Sequence, residues 1–396
     1  MRANDTVVIV SAARTPIGRF QGALGQLQAS EIGAHAIRAV VSQSGIAGQQ
    51  VDEVLMGCVL AAGQGQAPAR QASRFAGLPD EVGATLISKV CGSGMKAVML
   101  GHDLIAAGSA SITVAGGMES MSRAPYLLPK GRAGHRMGHH YIFDHMLLDG
   151  LEDAYESGRS MGDLAETVAE SFGITRAEQD AYAVETLERA RQAIHRGVFD
   201  RETVSVPYRV DGAERLLERD ELPLKISSER IRSLAPAFRP DGSITAASSS
   251  AIADGAAAMV LMRKSAAERA CLPILAEIKG HATCSQDPTR FATAPIAATR
   301  KLLERVGWDR DQVDLYEINE AFAVVVMVAM RELDLPYQKV NIHGGACALG
   351  HPIGASGARI LVTLIAALQR YDLRRGVATV CIGGGEATAI AVERLP

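Results

Sequence analysis

Cys91 stands ahead of Gly92, Ser93 and Gly94, and a mostly apolar run from Met95 to Ala107 follows. That order predicts a tight turn feeding a buried helix, with the sulfur at the helix N-terminus. Unpaired backbone N–H groups and the positive end of the helix dipole stabilise a thiolate there, moving it below the free-cysteine value of about 8.5. The glycines on both sides are expected to let a bulky substrate approach. The same residues also fit a core cysteine beside a turn. Three further groups stand out: Asn319 in NEAF, His351 in GHPIGASG and Cys381 in CIGGG. Each falls in a loop beside a predicted strand or helix, where open α/β sheets place ligands. Taken singly, Asn319 fits a helix N-cap ahead of the run from Glu320 to Met330, His351 a loop histidine, and Cys381 an apolar residue at a strand end.

The elements that must position these groups are legible as short alternating segments. Thr6 to Val10 reads as a strand, Ser30 to Ser44 as a helix, Val51 to Leu60 as a second strand, and Ala67 to Ala76 as a further helix. Ala110 to Ala115 reads as a strand that ends in Gly116 and Gly117. Such alternation indicates α/β architecture with a largely buried sheet. From residue 123 to about 245 the composition turns to Arg, Asp, Glu and His punctuated by prolines. An amphipathic helix from Ile174 to Gly197, with a Thr175-to-Glu178 capping box, is expected inside this stretch.

The last third repeats the first. Gly45 to Leu60 has its partner in Gly307 to Phe322, Ser111 to Ser120 in Val377 to Thr388, and the Cys91 turn and helix in Gly350 to Leu368. Two copies of one α/β unit, packed by pseudo-twofold symmetry, would put Cys91 and His351 at equivalent helix N-termini facing one cleft.

Composition narrows the class. The chain has 396 residues, 47% hydrophobic and 21% charged, which suits two or three globular domains. A net charge of -3 supplies no general basic field for nucleic acid or an anionic membrane. Six cysteines without a CxxC or close pair argue against a zinc site or a disulfide framework and suit a reducing interior. The opening MRANDTVVIVSAARTP has too few consecutive apolar residues for a secretory signal, and the longest apolar run, Ala321 to Met330, is about half of a membrane span. A soluble, cytoplasmic protein is the expectation.

The segments VVIVSAARTPIG, VCGSGMKA, AGGMESMS, NEAFA, HGGACALGHPIGASG and CIGGGEA together resemble the thiolase family, in particular its bacterial acetyl-CoA acetyltransferases, along almost the whole chain. The resemblance implies a thiolase fold: two similar α/β core domains packed together in αβαβα layers, with an inserted loop domain. The expected domains are residues 1–122, completed by about 246–272; the inserted 123–245, contacting coenzyme A; and 273–396. It implies an acyltransferase that joins two acetyl-CoA into acetoacetyl-CoA and CoA through an acetyl-cysteine. Cys91 would be the nucleophile, His351 the base that activates it, and Cys381 the base that takes a proton from the second acetyl group. His351 with a water held by Asn319 would form one oxyanion site, and the backbone N–H groups of Cys91 and Gly383 the other.

No cofactor and no metal are implied, only coenzyme A esters as substrates, and the family likeness suggests a dimer of dimers. Leu151, Met161, Phe238, Ala246, Ser249, Ser250, Ala321 and Phe322 would contact the pantetheine arm, with Ser250 as a hydrogen-bond partner. Two departures from the family pattern stand out. Pro223 occupies a position where many thiolases carry Arg, leaving Lys225, Arg230 or Arg232 for the nucleotide end, and Ser160 replaces a histidine found in several acetoacetyl-specific members. A broader 3-ketoacyl-CoA thiolase of fatty-acid degradation is the alternative activity. A ketoacyl synthase would have histidines where Cys381 and Asn319 stand, and a silent acyl-CoA-binding relative would lack one of the four groups. The histidines of HRMGHHYIFDHM could share a helical face, but a polar loop or a subunit contact is the simpler reading.

Overall fold

The computed structural model describes residues 5–395, so the first four residues of the expected N-terminal domain and the last of the C-terminal one lie outside it. The first stretch contains β1 (Val7–Arg14), β2 (Gly18–Arg19), α1 (Ala29–Ser44), β3 (Glu53–Gly57), α2 (Pro68–Phe75), β4 (Gly83–Ile87), α3 (Ser93–Ala107) and β5 (Ile112–Ser120). The middle holds β6 (Tyr126–Leu127), β7 (Phe143–Asp144), α4 (Met161–Phe172), α5 (Arg176–His195), β8 (Val206–Val210) and β9 (Ala213–Leu217). It leads to β10 (Ala253–Arg263) and α6 (Lys264–Arg269). The last third comprises β11 (Ala276–Ser285), α7 (Ala294–Val306), β12 (Leu315–Ile318), α8 (Ala323–Leu333), α9 (Ala346–Leu349), α10 (Ser356–Arg370), β13 (Arg375–Ile382) and β14 (Glu386–Glu393).

The repeat read from sequence reappears as strand order. One half runs β4-β3-β5-β10-β1 and the other β12-β13-β14-β11. In each, the first two matching strands, β3 with β5 and β12 with β13, pair in parallel, and the later pairs are antiparallel. The parallel neighbour β4 of the first half has its counterpart in a single bridge between Tyr316 and Val340. The halves join where Val8 and Ile9 of β1 face Glu277 and Ala276 of β11.

Helices cover both faces of each half, which is why β5 is buried at every position and β10 at every position but its last. On one outer face α1 and α2 pack Ile37, Val40 and Ala72 onto Val54, Met56 and Val260. On the other, α7 and α8 pack Leu302, Val325 and Val328 onto Val377 and Ala389. Between the halves lie α3 and α10, whose Met95, Val98, Ile360 and Leu364 fill a cluster with Ile9, Leu261, Val380 and Val392. The result is five layers, αβαβα, and each fully buried aliphatic side chain contributes about 1.5–3 kcal/mol. The capping box at Thr175 is formed, with the Thr175 N–H donating to Glu178 and the Glu178 N–H to the Thr175 hydroxyl. No helix among the described residues is long and apolar enough to cross a membrane.

One boundary differs instructively. β5 does not end at Gly116 and Gly117 but runs through them to Ser120. A Cβ on Gly117 would lie 2.2 Å from the Gly354 carbonyl oxygen and 2.9 Å from the Cα of Gly94. The glycine is there because another backbone passes against the strand, not because the strand stops. Gly117→Ala should therefore lower the thermal midpoint by the equivalent of about 3 kcal/mol, the upper range for overpacking. Gly83→Ala, whose added carbon meets nothing closer than 3.5 Å, should not lower it; equal midpoints for the two variants would contradict this reading.

Candidate active site

The turn before α3 is built by strain and short hydrogen bonds. Val90 has φ of 45°, a left-handed conformation that a β-branched residue adopts only when its surroundings enforce it, at about 1–3 kcal/mol. Ser93 enforces it: its hydroxyl donates to the Val90 carbonyl at 2.6 Å and accepts the Lys89 N–H at 2.8 Å. Cys91 thus sits two residues ahead of the helix, with Gly92 as the cap. The thiol is pushed up to about 11, chiefly because burial strips it of water. The backbone N–H groups of Gly383 and of Cys91 itself oppose that rise, and the Glu119 carboxylate adds to it. The expected thiolate is therefore corrected: desolvation outweighs the two N–H groups, and the resting group is a thiol.

His351 lies five residues ahead of α10, so it is not the positional equivalent of Cys91; aligning Ser93 with Ser356 brings Gly354 opposite Cys91 instead. The Ser356 hydroxyl donates to the Pro352 carbonyl at 3.0 Å and lies 2.5 Å from His351 Nδ1. With the serine proton spent on the carbonyl, the network assigns the ring proton to Nδ1 and leaves Nε2 as a bare acceptor. Nε2 is buried without a protein partner. Burial first, and Arg359 second, lower His351 to about 3, so the ring is neutral.

Cys381 is the last residue but one of β13, and burial pushes its thiol well up, with the proximity of Cys91 adding to the effect. Asn319 follows β12, its N–H donating to the Thr379 carbonyl at 3.0 Å. It does not cap α8, which begins at Ala323 behind Phe322. Instead both Oδ1 and Nδ2 of Asn319 are buried and unpartnered within the protein.

Two buried carboxylates that residue-type reasoning passed over hold these loops. Glu119 accepts the N–H groups of Val59, Leu60 and Gly354 and the thiol of Cys58, and desolvation raises it to about 7. It thereby ties the first half to the loop that carries His351. Glu320 accepts from Tyr182, Thr186, Asn341 and the Cys347 N–H, pinning the turn after Asn319. The available signal was an acidic residue inside an otherwise apolar segment, AGGMES and NEAFA.

A cavity of about 300 Å³ opens onto Cys91, His351 and Gly383. Of the expected contact residues, Leu151, Met161, Phe238, Ser249, Ser250, Ala321 and Phe322 line it. Cys381 and Asn319 do not line it. Ala246 lines a separate apolar pocket with Leu187, Ile231 and Leu234, and Lys225 points to solvent, paired with Glu221 at 3.4 Å. Ile353, Phe291 and Ile252 also form the wall, together with Gly150 and Leu147 from the π-helical turn Leu147–Leu151. Ser160 faces the cavity and its hydroxyl accepts the Asp163 N–H at 3.1 Å, capping α4. The Ser249 hydroxyl donates to the Thr245 carbonyl at 2.8 Å.

The glycines around Cys91 have another purpose than the approach of a substrate. A Cβ on Gly92 would lie 2.4 Å from Ile382, and one on Gly94 2.9 Å from the Gly354 carbonyl, so protein atoms already occupy the space. At Gly383 an added carbon would meet only Met161 and Val90, at 3.7 Å, leaving room. The histidine-rich stretch is no helix: His135, His139 and His140 lie on an exposed loop, and His145 instead contacts Asp149 at 2.5 Å.

The family model "Thiolase, N-terminal domain" matches residues 7–265, and "Thiolase, C-terminal domain" matches residues 272–394. The chain is 48% identical over 391 residues to an acetyl-CoA acetyltransferase of Pseudomonas aeruginosa, covering 98% of this chain and 99% of that one. It is 45% identical to that of Allochromatium vinosum, covering 99% and 100%. Among solved structures, the Bacillus anthracis acetyl-CoA acetyltransferase superposes with a TM-score of 0.95 at 40% identity, covering 99% of each chain.

The raised thiol has a direct readout. Alkylation of Cys91 by iodoacetamide in the substrate-free protein should keep accelerating with pH toward about 11. A plateau at the ordinary cysteine value of about 8.5 would contradict it.

Proposed function

The chain belongs to the thiolase family, and from that premise we propose that it is an acetyl-CoA C-acetyltransferase, joining two acetyl-CoA into acetoacetyl-CoA and free CoA, and reversibly cleaving the product. The observation that carries the reading is one cavity shared by the Cys91 thiol, the bare Nε2 of His351 and the Gly383 loop.

His351 Nε2 accepts the Cys91 proton as the sulfur attacks the thioester carbonyl. The N–H groups of Cys91 and Gly383, which face the sulfur at rest, turn their charge stabilisation to the developing oxyanion. CoA leaves with a proton, and the acetyl group remains on Cys91 as a neutral thioester. With CoA gone the Nε2 of His351 is bare again and accepts the Cys381 proton, so the second thiol becomes a thiolate while His351 gains an N–H, and that proton returns to the Cys91 sulfur when it is freed. A thiol with so high a pKa is a strong base after it loses its proton, which suits abstraction from a methyl carbon. The enolate oxygen is held by His351 and a water on the free amide of Asn319. Attack on acetyl-Cys91 then forms the new carbon–carbon bond and frees the Cys91 sulfur.

Every step uses groups of the chain and the two thioesters, and the proposal calls for no cofactor. Contact of the 123–245 region with coenzyme A is supported by Leu151, Met161 and Phe238 in the cavity wall. A cytoplasmic dimer of dimers is carried by the family likeness.

Labelled acetyl-CoA should leave a stable label on the wild type and none on Cys91→Ala; a labelled Cys91→Ala protein would overturn the nucleophile assignment. Cys381→Ser should take the label normally but condense about 10²–10⁴-fold more slowly, the span of a lost general base. Thiolysis across a series of 3-oxoacyl-CoA chain lengths should be fastest for acetoacetyl-CoA, and a maximum at a long chain would favour the broader thiolase activity.

A further inference from the structure

Away from the cavity, two adjacent donor side chains and a third distant in sequence converge. His102 and Asp103 lie in the second half of α3, and His281 lies on β11. One oxygen of Asp103 is 2.9 Å from His102 Nδ1 and also 2.9 Å from His281 Nε2. The two rings meet edge to face, at 87° and 5.2 Å between centroids, and the three donor atoms lie within 4.8 Å of one another. We propose that His102, Asp103 and His281 form a binding site for a divalent metal ion of the zinc type, stapling α3 to β11.

Two imidazoles and a carboxylate are a donor set that zinc takes at about 2.0–2.2 Å, which separates ligand atoms in a tetrahedron by about 3.3 Å. The present 2.9 Å contacts reach that spacing by opening a few tenths of an ångström. At rest each ring donates to the Asp103 carboxylate from the nitrogen that would bind the ion, so on binding each shifts its proton to the far nitrogen, and the fourth position is open to water. The Asp103 side chain is half exposed, so an ion can reach the site from solvent.

The placement gives the site a consequence. α3 follows the Cys91 turn, and β11 is the strand through which the second half meets β1. An ion held by both links the helix behind the nucleophile to the other half of the molecule.

The experiment is calorimetric titration with zinc in a Cys91→Ser, Cys381→Ser background, which removes the two active-site thiols. One equivalent should bind and raise the thermal midpoint. His281→Gln and Asp103→Asn, introduced into the same background, should each weaken binding at least about tenfold, a loss already produced by removing outer-shell partners. Both should also lose the thermal shift while melting normally without zinc. Absence of zinc binding in the parent, or unchanged affinity in His281→Gln, overturns the proposal.

Discussion

Two backbones pass each other at van der Waals distance in the middle of this molecule, and the site is assembled around that contact. Gly117 of β5 and Gly94 of α3 lie on one side; the Gly354 carbonyl and residues Ala355 and Ala358 lie on the other. Cys91 is three residues before Gly94, and His351 is three residues before Gly354. The separation of the two groups is thus set by peptide geometry near the seam, with little flexible side chain between them. Glu119, on the same strand as Gly117, adds a hydrogen bond to the Gly354 N–H at 2.9 Å. A side chain at the seam would wedge the two turns apart, which is why small residues gather there and not because a substrate needs their space.

Burial decides the proton inventory of the site. Cys91 and Cys381 are both held as thiols and His351 as a neutral ring, each mainly through loss of water. A resting constellation without net charge avoids the cost of an unpaired ion in an apolar wall. Charge then arises where an oxyanion or a sulfur is met by fixed N–H groups, a preorganised arrangement that needs little rearrangement during reaction.

The fold was largely legible because duplication leaves the same strand order twice, and pattern at that scale survives local ambiguity. Motif segments likewise pointed to the loops that meet at the cavity. What the residues could not disclose was the outcome of competing physical effects. A helix N-terminus and a dry pocket pull the Cys91 thiol in opposite directions, and only the packing around Val90 and Gly383 shows that the pocket prevails. Asn319 has the composition of a cap, yet α8 starts four residues later. Glu119 and Glu320 sit inside apolar segments, where a one-dimensional pattern treats them as interruptions; their hydrogen-bond partners come from other loops and from helix α5.

The seam also bears on how the molecule can move. With the Cys91 and His351 turns in backbone contact and the sheet halves joined through β1 and β11, a hinge between the halves would have to tear the site apart before it opened. Breathing that admits a long thioester must therefore come from the wall opposite: the π-helical turn at Leu147–Leu151, the start of α4 at Met161, and Phe238, which stacks edge to face on Phe322. Reactant exchange in such a design is a displacement of the cover, while the floor keeps its geometry through every turnover.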